Sequence, residues 1–399
     1  MMNGKVSGRL LAAGLFFLGA ACQQASSQET IEREFEINGQ QSMEIDLNAG
    51  GAITVRGWDE PRATVRVRFG RTDPDAFRFD FDQSRSKLTV RSERLSRVQN
   101  VDIRIDVRVP RGFDLDLRTG GGGITISGIE GVIDGGTGGG ELDLWDLKGT
   151  IRLTTGGGEI TVRDSKLDGR VSTGGGAVLV ENVVGDFRAT SGGGEVIYRN
   201  VVTPDRTWSA DVVHIRNAGG NIEVEDAPAG ADLSTGGGEI DVRSAGSFVK
   251  ARTGGGDIRI GTVDGWVETS TGGGDITIVG AMGRIEATTG AGMIQAAMTG
   301  DPDEGSHDVN LRSGYGDITL TIPEDLDATI EIELGYTRDA RRVYRIDSDF
   351  DLREERTEEW DRSQGTPRRF IFGKAEFGDG RHTIRIRTTN GNVYLRKGD

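Results

Sequence analysis

Residues 235–278 read TGGGEIDVRSAGSFVKAR TGGGDIRIGTVDGWVETS TGGGDITI, successive copies of one eighteen-residue phrase. Working outward, glycine triplets begin at 120, 138, 156, 174 and 192, then at 236, 254 and 272. Degenerate members stand at Ala218-Gly219-Gly220, Gly290-Ala291-Gly292 and Gly314-Tyr315-Gly316. Every interval is 18 except the steps of 26 from 192 to 218 and 24 from 290 to 314. A constant period broken only by insertions, here around Pro204 to Trp208 and Asp301 to Ser306, marks stacked units with loops on one face.

Each copy holds two alternating segments. After the triplet, apolar residues fall two apart, as in Ile160/Val162, Ile240/Val242 and Ile276/Ile278. Before it runs a second set, Ile151/Leu153, Phe187/Ala189 and Val249/Ala251 among them. Period two with β-branched residues means half-buried strands. The inward parity flips at the triplet, which makes the triplet a corner. Glycine there is expected to supply positive φ for a sharp bend. A second corner is expected at Gly131, Gly149, Gly185, Gly265 and Gly283, each seven residues before its triplet. Two short strands and two corners in 18 residues predict an all-β, single-stranded β-solenoid (β-helix). An antiparallel meander explains the alternation equally well but not the identical corner residues.

Composition narrows the partners. The chain has 399 residues, 48 basic against 63 acidic, for a formal charge of −15, which argues against a nucleic-acid partner, whose phosphates call for clustered Lys and Arg. Glycine occupies 63 positions and proline 8, a repeat composition and not that of a Pro/Gly linker. Lys5 and Arg9 precede the apolar run Leu10 to Ala21, an export signal too short to span a bilayer. Cys22, the lone cysteine, follows in LGAAC, a string similar to a lipoprotein lipobox except that Leu18 stands one position too early. The expectation is lipidation at Cys22, the alternative cleavage near Ala21 or Ser27. One cysteine allows no internal disulfide.

The residue after the triplet is acidic in seven of eleven units: Glu141, Glu159, Glu195, Glu239, Asp257, Asp275 and Asp317. Stacked one layer apart, such carboxylates repel by ~1 kcal/mol per pair in bulk water. Arginines four residues on (Arg163, Arg199, Arg243) are expected to bridge this surface ladder; a glycan-binding or calcium stripe is the functional alternative. Calcium wants six to eight oxygens, and one carboxylate per corner is a thin supply, so no metal site and no cofactor are expected. A hydroxyl precedes almost every triplet, from Thr119 to Ser313, placed to satisfy backbone groups at the bend. His214, His307 and His382 lie far apart in sequence, with no nucleophile elbow beside them. Departures from the repeat, namely Trp145, Tyr198, Trp208, Trp266 and His307, are the places to look for a unique binding feature.

Flanking segments 43–57 (MEIDLNAGGAITVRG), 101–112 with its VPRG, 322–334 (IPEDLDATIEIEL) and 382–397 (HTIRIRTTNGNVYLRK) surround the triplets. Together they resemble the putative-adhesin family of bacterial envelope proteins over about residues 30 to 399. The resemblance implies a β-helical fold and an envelope setting, with no catalytic residue to carry over. The organisation expected is a signal peptide over 1–21, a tether over 22–30, an N-terminal β cap over 31–112, the glycine-repeat body over 113–322 and a C-terminal β cap over 323–399. Within that last segment the charged run 353–369 is expected as an exposed loop or short helix. The functional expectation is a non-enzymatic adhesin-like or structural envelope protein at the outer membrane, periplasm or cell surface, its partner a glycan or an envelope protein. The only membrane contact expected is the lipid anchor. The alternatives are a periplasmic carbohydrate-active enzyme and an accessory in envelope-stress signalling.

Overall fold

A computed structural model describes residues 29–398 except 40, 49, 99, 203–211, 340, 341 and 364. The expected export signal, Cys22 and Trp208 lie outside these described residues. Among them the secondary structure is β throughout, with a single 3-10 turn at Pro74–Ala76 and no α-helix.

Alternation with period two becomes two long parallel ladders. In the first, the strand after one triplet pairs with the strand after the next, so that Ile240 faces Ile258, then Ile276, then Ile294. In the second, strands before successive triplets pair likewise, placing Val249 beside Val267 and Ile285. The register step is the sequence period, and where the sequence inserts residues the step lengthens to match, Val196 pairing with Ile222 and Ile285 with Val309. The chain therefore gives one strand to each ladder per unit. The strand Ile160–Thr173 runs from one ladder into the other without interruption.

Both ladders turn their aliphatic columns to one interior. Ile160, Ile240 and Ile276 are each at most 1% exposed and belong to a single buried cluster. Ile151, Leu153, Val249 and Ala251 join it from the second ladder.

The glycine triplets are needed for a reason other than positive φ, which only Gly316 adopts among the triplets that begin at 120 and after. At the first glycine of a triplet an added Cβ would lie 2.2 Å from the carbonyl oxygen of the equivalent residue one layer earlier (Gly138 on Gly120, Gly174 on Gly156, Gly272 on Gly254). At the third the clash is equally severe, 2.0 Å for Gly158 on Gly140 and 2.2 Å for Gly256 on Gly238. At the middle glycine a Cβ would meet nothing within 4 Å, and this is the position that Ala291 and Tyr315 occupy. Crowding between layers, not torsional freedom, fixes the motif.

The second corner also differs from expectation. Gly128, Asp146, Asp164, Asn182 and Asn200, spaced by 18, all have φ between 48° and 69°. Asn and Asp tolerate the left-handed region because their short side chains bond locally. Here they also bond to one another, Asn182 Nδ2 donating to Asp164 Oδ1 at 2.9 Å and Asn200 Nδ2 to Asn182 Oδ1 at 2.8 Å. The expected corner glycines lie just beyond, pressed against the previous layer: a Cβ on Gly149 would stand 2.2 Å from the Gly131 carbonyl.

Antiparallel strands flank both ends of the ladders. Thr30–Glu36 pairs with Arg62–Phe69, which pairs with Ile103–Pro110, while Phe77–Gln83 pairs with Lys87–Arg94. At the other end Val393–Gly398 returns to lie parallel to Ile318–Pro323 after an excursion in which Ala328–Thr337 pairs with His382–Thr389 and Arg368–Phe377. Among its described residues the charged run 353–369 forms no helix; it contains the strand Arg353–Arg356, paired antiparallel with the Arg368–Phe377 strand. Charge on both faces of a strand is unusual in a sheet interior and suits an exposed edge, where it deters further pairing.

Replacing Gly256 by Ala is expected to lower stability by about 1–3 kcal/mol through overpacking. The same change at Gly255 is expected to be neutral or to stabilise by about 0.4–1 kcal/mol. Urea or thermal melts of the two variants check the contrast.

Candidate functional site

The hydroxyl column before the triplets is buried and bonds between layers. Thr137 Oγ1 donates to the Gly122 carbonyl at 2.8 Å and accepts from the Gly140 N–H at 3.2 Å. Thr173, Thr253 and Thr271 repeat the pair of bonds on Gly158, Gly238 and Gly256, with Ser191 doing so on Gly176. The carbonyls that the third glycine crowds together are thus capped from the next layer. Asn217, which precedes the degenerate Ala218 triplet, makes the same bond with an amide, Nδ2 to the Gly194 carbonyl at 2.7 Å. Its position before a triplet was the signal that sequence reading missed.

The acidic column stands beside this corner. Glu141, Glu159 and Glu239 are exposed, whereas Glu195, Asp257, Asp275 and Asp317 are half-buried. The arginines expected to bridge them do not. Arg163 pairs with Asp143 at 3.1 Å, Arg199 with Glu223 at 3.7 Å and Arg243 with Glu225 at 2.6 Å. An arginine two residues beyond the column bridges instead: Arg259 reaches Glu239 at 2.7 Å and Asp257 at 3.0 Å. The shorter aspartates also turn back to the main chain. Asp257 Oδ1 accepts from the Asp275 N–H at 2.9 Å, Asp275 Oδ1 from Met293 at 2.7 Å and Asp317 Oδ1 from Asn392 at 2.8 Å. Glu141 and Glu159, one methylene longer than the aspartates and exposed, form no ion pair among the described residues, whereas Glu239 is held by Arg259. Among the described residues no three His, Cys, Asp or Glu side chains group as a metal site.

The departures from the repeat divide. Tyr198 is buried, its hydroxyl accepting from the Ala189 N–H at 2.8 Å and donating to the Phe187 carbonyl at 3.3 Å, and burial raises its pKa. Trp266 stacks on Phe248 at 4.8 Å with Arg284 over its ring, a packing role. Trp145 is half-exposed on the outer face of the first ladder.

Two histidines 75 residues apart meet. His307, fully buried, donates its backbone N–H to His382 Nδ1 at 3.3 Å, and the rings lie 5.2 Å apart edge to face. Both ring nitrogens of His307 and Nε2 of His382 have no hydrogen-bond partner among the described residues. The insertion before His307 therefore leads into the interior at this point instead of presenting the ring. Burial, reinforced by His382 and Arg381 and opposed by Asp301 and Asp308, holds the His307 pKa below its ordinary 6.5.

Between the lowered folded value and 6.5 the unfolded chain holds more protons at this site, so its contribution to stability is present above that window and is lost as pH falls through it. The melting temperature of the wild type is expected to drop between pH 7 and pH 5 more than that of His307→Leu. Asp327, held below its ordinary 3.8 by backbone N–H groups of Arg381 and its neighbours, acts only at lower pH and does not confuse the comparison. Separately, Thr253→Val is expected to destabilise by about 1–3 kcal/mol by stranding the Gly238 carbonyl, measured by denaturant melting against Thr253→Ser.

No family model matches the chain, and no curated protein is similar to it. Among solved structures it is similar to a putative cell adhesion protein from Clostridium sporogenes, at 8% identity over 93% of this chain and 100% of that one, TM-score 0.20. It is similar to a putative lipid binding protein from Parabacteroides distasonis at 13% identity, over 74% and 97% of the two chains, TM-score 0.23. It is also similar to a putative adhesin from Bacteroides fragilis at 17% identity, over 74% and 98%, TM-score 0.20. Likenesses at these scores do not assign the chain to a family.

Proposed function

We propose that this chain is an exported, non-enzymatic envelope protein whose parallel layers are the coils of a β-solenoid, and that it binds a glycan or an envelope protein along its outer surface. Cys22 is its lipid anchor to the outer membrane, and the segments 31–112 and 323–399 are the caps of the repeat body over 113–322.

The observation that carries this reading is the repetition of an outward surface beyond what stacking needs. The first and third glycines are demanded by crowding, but the middle one is not, and it is nonetheless glycine at 121, 139, 157, 175, 193, 219, 237, 255 and 273. The result is a ridge free of side chains, with the acidic column beside it. Such a ridge lets a flat partner approach the backbone, and carboxylates on successive layers engage hydroxyls or cations of that partner several at a time.

Glycan-array binding is expected for the wild type and is expected to weaken in Glu141→Gln/Glu159→Gln/Glu239→Gln. Release of reducing ends from a bound sugar, measured on the same samples, would overturn the non-enzymatic reading. Labelling with a palmitate analogue is expected in the wild type and absent in Cys22→Ala.

A further inference from the structure

We propose that the outer face of the N-terminal strands carries a binding site for a phosphate-bearing group, centred on Arg56 and Arg108 beside Trp58. The site uses none of the glycines or carboxylates of the repeated surface invoked above, so either proposal stands or falls without the other.

Strands Ala52–Trp58 and Ile103–Pro110 pair in parallel, and the register sets Arg56 directly against Arg108. Like charges opposite one another across a ladder destabilise it unless something lies between them. Elsewhere on this face the charges are matched. Glu32 binds Arg66 at 2.9 Å, Glu34 binds Arg62 at 2.7 Å and Asp106 binds Arg68. Every acid lining the pocket is committed in this way, and Arg56 and Arg108 form no ion pair among the described residues. Both are exposed at the mouth of a pocket of about 380 Å³.

Trp58 orders one wall. Its indole N–H donates to the Arg62 carbonyl at 2.8 Å, and the guanidinium groups of Arg62 and Arg108 lie 5.1 and 5.7 Å from its ring centre. Contact with the ring orients Arg108 and leaves its N–H groups to a ligand, since a π face takes up charge without consuming hydrogen-bond donors. Two guanidinium forks on adjacent strands offer a double positive charge and several parallel donors. A phosphate monoester, carrying −1.5 to −2 near pH 7, matches both; a carboxylate supplies one charge and two oxygens. The phosphate can come from a lipid headgroup or from a soluble phosphate ester.

Calorimetric titration with inorganic phosphate, against chloride at equal ionic strength, is expected to give saturable heat with the wild type. Arg56→Ala or Arg108→Ala is expected to weaken binding roughly tenfold, and the double variant to abolish it. Arg56→Lys/Arg108→Lys keeps the charge and loses the forks; a melt like that of the wild type with weakened binding shows that the loss is local. Sedimentation with vesicles separates the sources. Retention on vesicles containing phosphatidic acid, whose headgroup is a phosphate monoester, but not on phosphatidylcholine vesicles, reduced in the Lys/Lys variant, supports a headgroup, whereas phosphate binding without vesicle retention supports a soluble ester. No saturable heat with phosphate, or heat unchanged in the paired variants, would overturn the proposal.

Discussion

The structure depends on how closely one layer lies on the next at a single corner. Parallel strands stack about 4.8 Å apart, and at the triplet the backbone comes so near its neighbour that a Cβ on Gly158 would stand 2.0 Å from the Gly140 carbonyl, the one that Thr155 caps. Such an approach leaves carbonyls facing a crowded, partly buried seam. Unsatisfied, each would be unfavourable by about 1–3 kcal/mol, and the Thr or Ser of the next layer removes that penalty. Glycine and hydroxyl are two halves of one requirement: the glycines permit the approach and the hydroxyl satisfies what the approach would otherwise orphan.

Once the layers are held at that separation, each column of equivalent residues must tolerate its own translation. Aliphatic columns gain from it, since Ile on Ile fills the interior without a gap. Asn and Asp columns gain as well, because one side chain donates to the next, as Asn200 does to Asn182. Carboxylate columns do not. The molecule relieves them in two ways, with cross-layer arginines such as Arg259 and by lending aspartate oxygens to the backbone N–H of the following layer.

These differences explain what was legible in the residues. Burial and register follow from periodicity, so the interior placement of Ile160, Ile240 and Ile276 and the parallel 18-residue step could be read from the chain. The partner of each arginine could not, because it depends on side-chain reach across layers; Arg163 prefers Asp143 to Glu159 although the latter is nearer in sequence. The cause of the glycine triplet was misread for a related reason. Positive φ is a property of one residue, whereas crowding is a property of two layers, and a sequence displays only the first. The edge strand Arg353–Arg356 was hidden by the absence of any apolar alternation. The meeting of His307 and His382 rests on the return of the last strands across 75 residues, which no local pattern announces.

A surface generated by translation constrains its partners more than a pocket does. Equivalent groups recur about every 4.8 Å, so a ligand can use several layers together only if its own groups recur at that spacing or a multiple of it. Each additional matched layer then raises the effective concentration for the next without any new kind of contact. A partner lacking the period sees one layer at a time, and single exposed carboxylates bind weakly. The Arg56–Arg108 pair obeys a different rule. It lies where the first ladder gives way, beyond the strand Ile103–Pro110, to the antiparallel strand Arg62–Phe69, so its selectivity comes from the local match of charge and donors and not from length. The two proposed modes of recognition therefore use different parts of the chain, periodic on the body and local at the N-terminal end.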